Sequence, residues 1–179
     1  MRGHILLMGL LALSACDRQN LQERQEAVAD RAGPKVGLDR THAGKPMPTV
    51  AFRDPDGQET SLAAFSGKPL LLNLWATWCA PCIKELPTLD ALASRPGAPQ
   101  VLALSQDMGA QPKVEAFLAE KKIGLEPYQD PDMAISGEIG AKILPTTILY
   151  DASGREVWRY TGDLDWSGVE AQSLIGEAR

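Results

Sequence analysis

The chain has 179 residues, of which 44% are hydrophobic and 23% charged, and its net charge is −5. That length allows one globular domain with an appendage, and the acidic balance argues against a nucleic-acid-binding surface. No internal apolar run reaches the roughly 18 residues of a membrane span.

The first element is a targeting segment. Arg2 gives a short positive start, and Ile5 to Leu13 is nearly all apolar yet too short to cross a bilayer comfortably. It ends in Leu13-Ser14-Ala15-Cys16, which resembles the lipobox of bacterial lipoproteins. In that family a peptidase cuts before the cysteine, which is then acylated. The resemblance implies a signal peptide over residues 1–15, a lipid on Cys16 and, from Asp17, retention at the periplasmic face of the inner membrane. Residues 16–45 read as a polar tether, with a short helix over Asn20 to Arg31 stopped at Gly33. About 30 flexible residues reach on the order of 30 Å.

The folded domain is expected over residues 46–179. Thr49 to Arg53 alternates as a strand, Asp54 to Gly57 is a turn, and Ser61 to Phe65 is one helical turn. Pro69 to Leu74 is a continuous apolar run, the mark of a strand covered on both faces. Ala80 to Ser94 reads as a helix kinked at Pro87, Gln100 to Ser105 as a second buried strand, and Pro112 to Lys122 as a helix stopped by Gly124. A short helix over Met133 to Ile139 follows. Thr146 to Tyr150 and Glu156 to Tyr160 are strands around the turn Asp151-Ala152-Ser153-Gly154, and Asp165 to Ala178 closes the chain as a helix. Strands alternating with helices predict an α/β fold, a central mixed sheet flanked by helices.

Between the first apolar run and the first long helix stands Trp75-Ala76-Thr77-Trp78-Cys79-Ala80-Pro81-Cys82. A strand that delivers C-x-x-C to a helix start is redox architecture. The helix start offers unpaired N–H groups and a partial positive charge, both of which favour a thiolate at Cys79. Cys82, one turn further in, is placed to attack the mixed disulfide that Cys79 forms. The other use of the spacing, half of a zinc site, needs a second ligand pair. The remaining cysteine is Cys16, and both histidines, His4 and His42, lie in the N-terminal segment. No metal and no cofactor are therefore expected. A domain of about 134 residues can bury roughly two thirds of its unfolded surface, so it needs no disulfide staple, which favours a catalytic pair.

With these residues in place the chain resembles the thioredoxin superfamily, and more narrowly the membrane-anchored TlpA/ResA-type thiol–disulfide oxidoreductases. The resemblance is carried by the C-x-x-C run, by Lys84-Glu85-Leu86-Pro87 after it, by Leu144-Pro145-Thr146-Thr147 before a strand, and by Asp151-Ala152-Ser153-Gly154. It implies a thioredoxin-like fold and a cis Pro145 facing the cysteines, whose loop pairs with the substrate backbone. Trp78, Ala80, Pro81 and Leu144 are then expected to line the substrate surface, while Trp75, Trp158 and Trp166 are expected only to pack.

One position departs from ordinary thioredoxins. Where they carry an aspartate six residues before the first cysteine, this chain has Asn73, which cannot titrate. Glu85, three residues after Cys82 on the same helical face, is the expected replacement, with a raised pKa and a proton to exchange with Cys82. The alternative for Glu85 is a solvated surface carboxylate paired with Lys84 or Lys121. The uncharged Ala80-Pro81 dipeptide points to a reductant. The expected function is an exported protein-disulfide reductase, with clients in cytochrome c maturation or copper-centre assembly. Its partners would be exported proteins with disulfides or paired cysteines, a membrane thiol protein as electron donor, and the bilayer through Cys16. Three rivals stand beside it: a copper metallochaperone on the same fold, a peroxidase, and an oxidant that inserts disulfides.

Overall fold

The computed structural model describes residues 36–178; Cys16, the apolar start and the expected helix at Asn20 to Arg31 lie outside them. In chain order the elements are β1 (Gly37–Asp39), β2 (Phe52–Arg53), β3 (Glu59–Thr60), a 3-10 turn (Leu62–Phe65), β4 (Leu70–Trp75) and α1 (Ala80–Ala93). Then come β5 (Gln100–Ser105), α2 (Gln111–Lys121), β6 (Tyr128–Gln129), α3 (Ala134–Ile139), β7 (Thr146–Tyr150), β8 (Glu156–Thr161) and α4 (Val169–Ile175), with a last 3-10 turn at Gly176–Ala178.

The eight described strands form one sheet in the order β1-β8-β7-β4-β5-β6-β2-β3. β4, β5 and β6 run parallel, while β7 is antiparallel to β4. All six residues of central β4 are buried, which is why the sequence shows no polar alternation there. Its alternate side chains enter two cores. Leu71 and Trp75 join Leu86 and Leu89 of α1, Val114 and Leu118 of α2, and Ala171 and Leu174 of α4. Leu70, Leu72 and Leu74 meet Leu62, Ile135 of α3 and Phe52 on the opposite face. The expected α/β class, a mixed sheet with helices on both faces, is the architecture formed.

Several expected boundaries move. Residues 37–39, placed in the tether, pair with Arg159 to Thr161 as an edge strand, so the folded unit begins before residue 46. The strand expected from Thr49 is only Phe52–Arg53, because its partners extend no further than Thr60, Glu59 and Gln129. Strands β3 and β6 are additions of two residues each. Helix α2 ends on Lys122 in the left-handed region (φ 58°), whose N–H returns to the carbonyls of Leu118 and Ala119, rather than at Gly124. Asp165 to Gly168 is a turn, closed by Gly168 N–H to the Asp165 carbonyl at 3.0 Å and Ser167 N–H to Asp165 Oδ1 at 2.9 Å. The closing helix therefore starts at Val169.

Parallel pairing of β4 with β5 sends both C-terminal ends to one edge of the sheet. Antiparallel β7 starts there, with Thr146 opposite Leu74. The loop after β4, the loop after β5 and the segment before β7 therefore converge.

Candidate active site

Trp75 ends β4, and four residues later Cys79 is the N-cap of α1 with extended backbone (φ −93°, ψ 98°). Its Sγ accepts the Cys82 N–H at 3.3 Å, one of the helix-start donors that would otherwise lack a partner. Pro81 falls in the first turn, where a missing N–H costs no helical bond. Cys79 and Cys82 are joined in a disulfide with a Cα–Cα distance of 5.3 Å. Cys82 is fully buried and Cys79 is 6% exposed, so the approach from solvent is to Cys79.

Asp107, which the sequence reading passed over, fixes the loop that leads to Cys79. Its carboxylate accepts the Thr77 N–H at 2.9 Å, the Thr77 hydroxyl at 2.7 Å and the Ser105 hydroxyl at 2.8 Å. A carboxylate two residues past a buried parallel strand was the available signal, since such ends collect functional groups in α/β sheets.

Cys79 opens onto a cleft of about 450 Å³ whose wall includes Trp78, Ala80, Pro81 and Leu144. These are the four residues expected at a substrate surface. Trp78 is 67% exposed, an apolar wall standing in water. The Leu144–Pro145 peptide is cis, and the Pro145 carbonyl accepts the Gly162 N–H at 2.9 Å.

Glu85 is not a surface carboxylate. It is 3% exposed, while Lys84 pairs with Asp163 at 2.7 Å and Lys121 with Glu120 at 3.0 Å. Glu85 Oε1 accepts from Asn73 Nδ2 at 2.7 Å; Oε2 accepts from Trp166 Nε1 at 3.0 Å and from Leu164 N–H at 3.2 Å. Burial pushes its pKa from 4.5 up to about 7, against the pull of those three donors. Asn73 also donates to Thr147 Oγ1 at 2.9 Å, and its own Oδ1 is buried without a partner.

Trp166 therefore does more than pack. Its ring stacks on Trp158 with centroids 6.3 Å apart, and its indole N–H holds Glu85 across 81 residues of sequence. No local pattern links the two positions. Trp75 is fully buried against Phe117, centroids 5.9 Å apart, as expected of a packing residue.

The chain is similar to proteins already known. The Redoxin family model matches residues 42–174. The thiol-disulfide oxidoreductase ResA of Geobacillus thermodenitrificans is 30% identical over 166 residues, covering 92% of this chain and 87% of its own. The thiol:disulfide interchange protein DsbE of Pseudomonas fluorescens biotype C is 33% identical over 147 residues, covering 76% of this chain and 79% of its own. Among solved structures, a DsbF homologue from Corynebacterium diphtheriae has the same fold, with a TM-score of 0.63 and 24% identity over 82% of this chain and 93% of that one.

Proposed function

We propose a direction and a mechanism for a chain that belongs to the Redoxin family of the thioredoxin superfamily, is similar to ResA, and is a thiol–disulfide oxidoreductase: it reduces disulfides of cell-envelope proteins. The observation that carries the direction is the poverty of polar contacts to Cys79. Among the described residues its Sγ accepts one hydrogen bond, from the Cys82 N–H, and the intervening Ala80-Pro81 brings no charge. Strong oxidants owe their potential to a stabilised reduced thiolate, and little here stabilises one beyond the helix start.

In the reductive half-cycle the Cys79 thiolate attacks one sulfur of the client disulfide. An S–S bond forms between Cys79 and the client, and the client's other sulfur leaves as a thiolate. Cys82 then gives its proton to Glu85 and attacks Cys79 Sγ, breaking the Cys79–client S–S bond, releasing the client's second sulfur as a thiolate and closing the Cys79–Cys82 disulfide. Two electrons pass to the client. A carboxyl with a pKa of about 7 divides its time between both protonation states near neutrality, which suits a proton carrier for a thiol. Asn73 supports both states: its N–H₂ donates to the carboxylate, and rotation of the amide would offer its unpaired Oδ1 to the acid. Pro145 and Leu144 would present the backbone to the client, and Trp78, Ala80 and Pro81 would form the wall against which it lies.

The potential tests the direction. Equilibration of the pair with glutathione or dithiothreitol buffers should give a value nearer roughly −270 mV than roughly −120 mV. A value at the oxidising end would reassign the protein to disulfide formation.

The proposal includes export through residues 1–15 and anchoring by lipid on Cys16, at the periplasmic face of the inner membrane. It rests on the apolar start and on Leu13-Ser14-Ala15-Cys16. Mass analysis of the mature N-terminus should find an acylated Cys16, and a free N-terminus beyond residue 16 would refute it. The resemblance to TlpA/ResA-type proteins extends the proposal to clients in cytochrome c maturation or copper-centre assembly, with a membrane thiol protein returning electrons to Cys79 and Cys82.

A further inference from the structure

The loop between β4 and Cys79 is held from outside itself. Thr77 gives both of its donors to Asp107: its N–H to Oδ2 at 2.9 Å and its hydroxyl to Oδ1 at 2.7 Å. Asp107 is itself fixed by two buried residues at strand ends. The Ser105 hydroxyl of β5 donates to Oδ2 at 2.8 Å, and Ser105 Oγ accepts the Asp107 N–H at 3.1 Å. Gln129 of β6 is 1% exposed, and its Nε2 donates to the carbonyls of Asp107 at 2.6 Å and Gly109 at 2.8 Å. Thr77 is thus clamped to the sheet edge.

Two residues further on, Cys79 has less support. Its N–H reaches the Ala76 carbonyl at 3.1 Å, and its own carbonyl accepts the Ile83 N–H at 3.0 Å, the first bond of α1. Helix ends fray, and fraying of this turn parts Cys79 from Cys82. In the oxidised protein the disulfide prevents that by itself. In the reduced protein that covalent restraint is gone, and the bonds from Thr77 to Asp107 hold the residues before the helix start.

We propose that Asp107 is a positioning residue for the redox pair: through Thr77 it keeps the two thiols of the reduced protein at bonding range and so favours closure of the Cys79–Cys82 disulfide. Closure within a preset geometry outcompetes the same reaction between loosely held groups. In that step the Cys82 thiolate attacks Cys79 Sγ, the new S–S bond forms as the Cys79–partner S–S bond breaks, and the partner's sulfur leaves as a thiolate. A pair that closes readily gives up its two electrons readily, so the clamp makes the protein a stronger reductant. The inference rests on the reductase reading above and adds a cause to it: the uncharged Ala80-Pro81 leaves the reduced side without extra stabilisation, and Asp107 favours the oxidised side.

The test is the potential of the full chain and three variants, read by equilibration with glutathione buffers. Asp107→Ala removes the clamp and should lower the equilibrium constant for closure about tenfold, a move of about 30 mV toward the oxidising end. Loss of the carboxylate's charge would act in the same direction, and Asp107→Asn separates the two causes. Asparagine's Oδ1 can take both bonds of the aspartate Oδ2, and its Nδ2 can donate to the Thr77 hydroxyl, which accepts as well as donates. The clamp is kept while the charge is lost, so Asp107→Asn should stay near the wild-type value. Thr77→Val keeps the charge, the shape and the N–H bond but loses the hydroxyl bond. It should shift the constant about threefold in the direction of Asp107→Ala, the lower range for one hydrogen bond. An Asp107→Ala potential equal to wild type, an Asp107→Asn shift as large as that of Asp107→Ala, or a Thr77→Val potential equal to wild type would overturn the proposal. A wild-type potential at the oxidising end defeats the reductase reading instead, and the differences among the variants still decide the clamp.

Discussion

Cys82→Ser is expected to abolish turnover and to accumulate mixed disulfides joined through Cys79. The first attack needs only Cys79, which borders the cleft and sits at the start of a 14-residue helix, where the partial positive charge favours its thiolate. Release needs a second thiolate behind it. Serine keeps the size of Cys82 in a fully buried position, so the fold should persist, but a hydroxyl is a far poorer nucleophile at neutral pH. The trapped species should be released by added reductant and identified by mass spectrometry, and the clients should be exported proteins with paired cysteines. A trap that holds nothing above the level of a Cys79→Ser, Cys82→Ser control would remove the main support for the reductase reading and favour metal binding by the pair.

Glu85→Gln should slow the release step by about 10²-fold, the lower range for loss of a positioned acid or base, and should erase an inflection near pH 7 in its rate. The same substitution has a stability signature whose sign is fixed. The folded-state pKa of Glu85 is raised, to about 7 from 4.5, so the folded protein holds this proton more tightly than the unfolded chain. The stability it contributes is fully present below pH 4.5 and is lost as pH rises to about 7. That shift corresponds to on the order of 3 kcal/mol. His42 acts in the opposite sense: burial, and then the charge of Arg159, lower its pKa from 6.5, so the stability it contributes is present above that value and is lost as pH falls below it. The wild-type curve mixes the two, and the difference between wild type and Glu85→Gln in denaturant titrations from pH 4 to 8 isolates Glu85. Trp166→Phe gives a second check. It removes one donor to the carboxylate while keeping an aromatic ring, so the kinetic inflection should move upward rather than disappear. An unchanged pH profile in both variants would leave Glu85 with a packing role only.

The local sequence determined the elements that carry the chemistry. A run of six buried residues, Leu70–Trp75, apolar but for Asn73, followed by Cys79 and by Pro81 in a first helical turn, writes strand, loop and helix start in consecutive positions. Pro87 shows how far such rules reach. It lies inside α1 without ending it, since Leu86 and Leu89 on either side are buried in one core and hold the helix together. The edge strand Gly37–Asp39 was illegible for the converse reason: three residues with mixed polarity gain their conformation from backbone bonds to β8, not from their own side chains. The tertiary structure alone decided the surroundings of the disulfide. Trp166 and Leu164 meet Glu85 from about eighty positions away, Asp107 reaches Thr77 across 30, and Gln106 and Lys142 share a cleft wall from separate loops. Residue types and spacing encode the backbone within a few turns of themselves. The depth of a carboxylate and the identity of its donors follow from which loops the sheet order brings to one edge, and so Glu85 could be named as a titrating group from the sequence, while the burial and the three hydrogen bonds that set its pKa arise only in the folded chain.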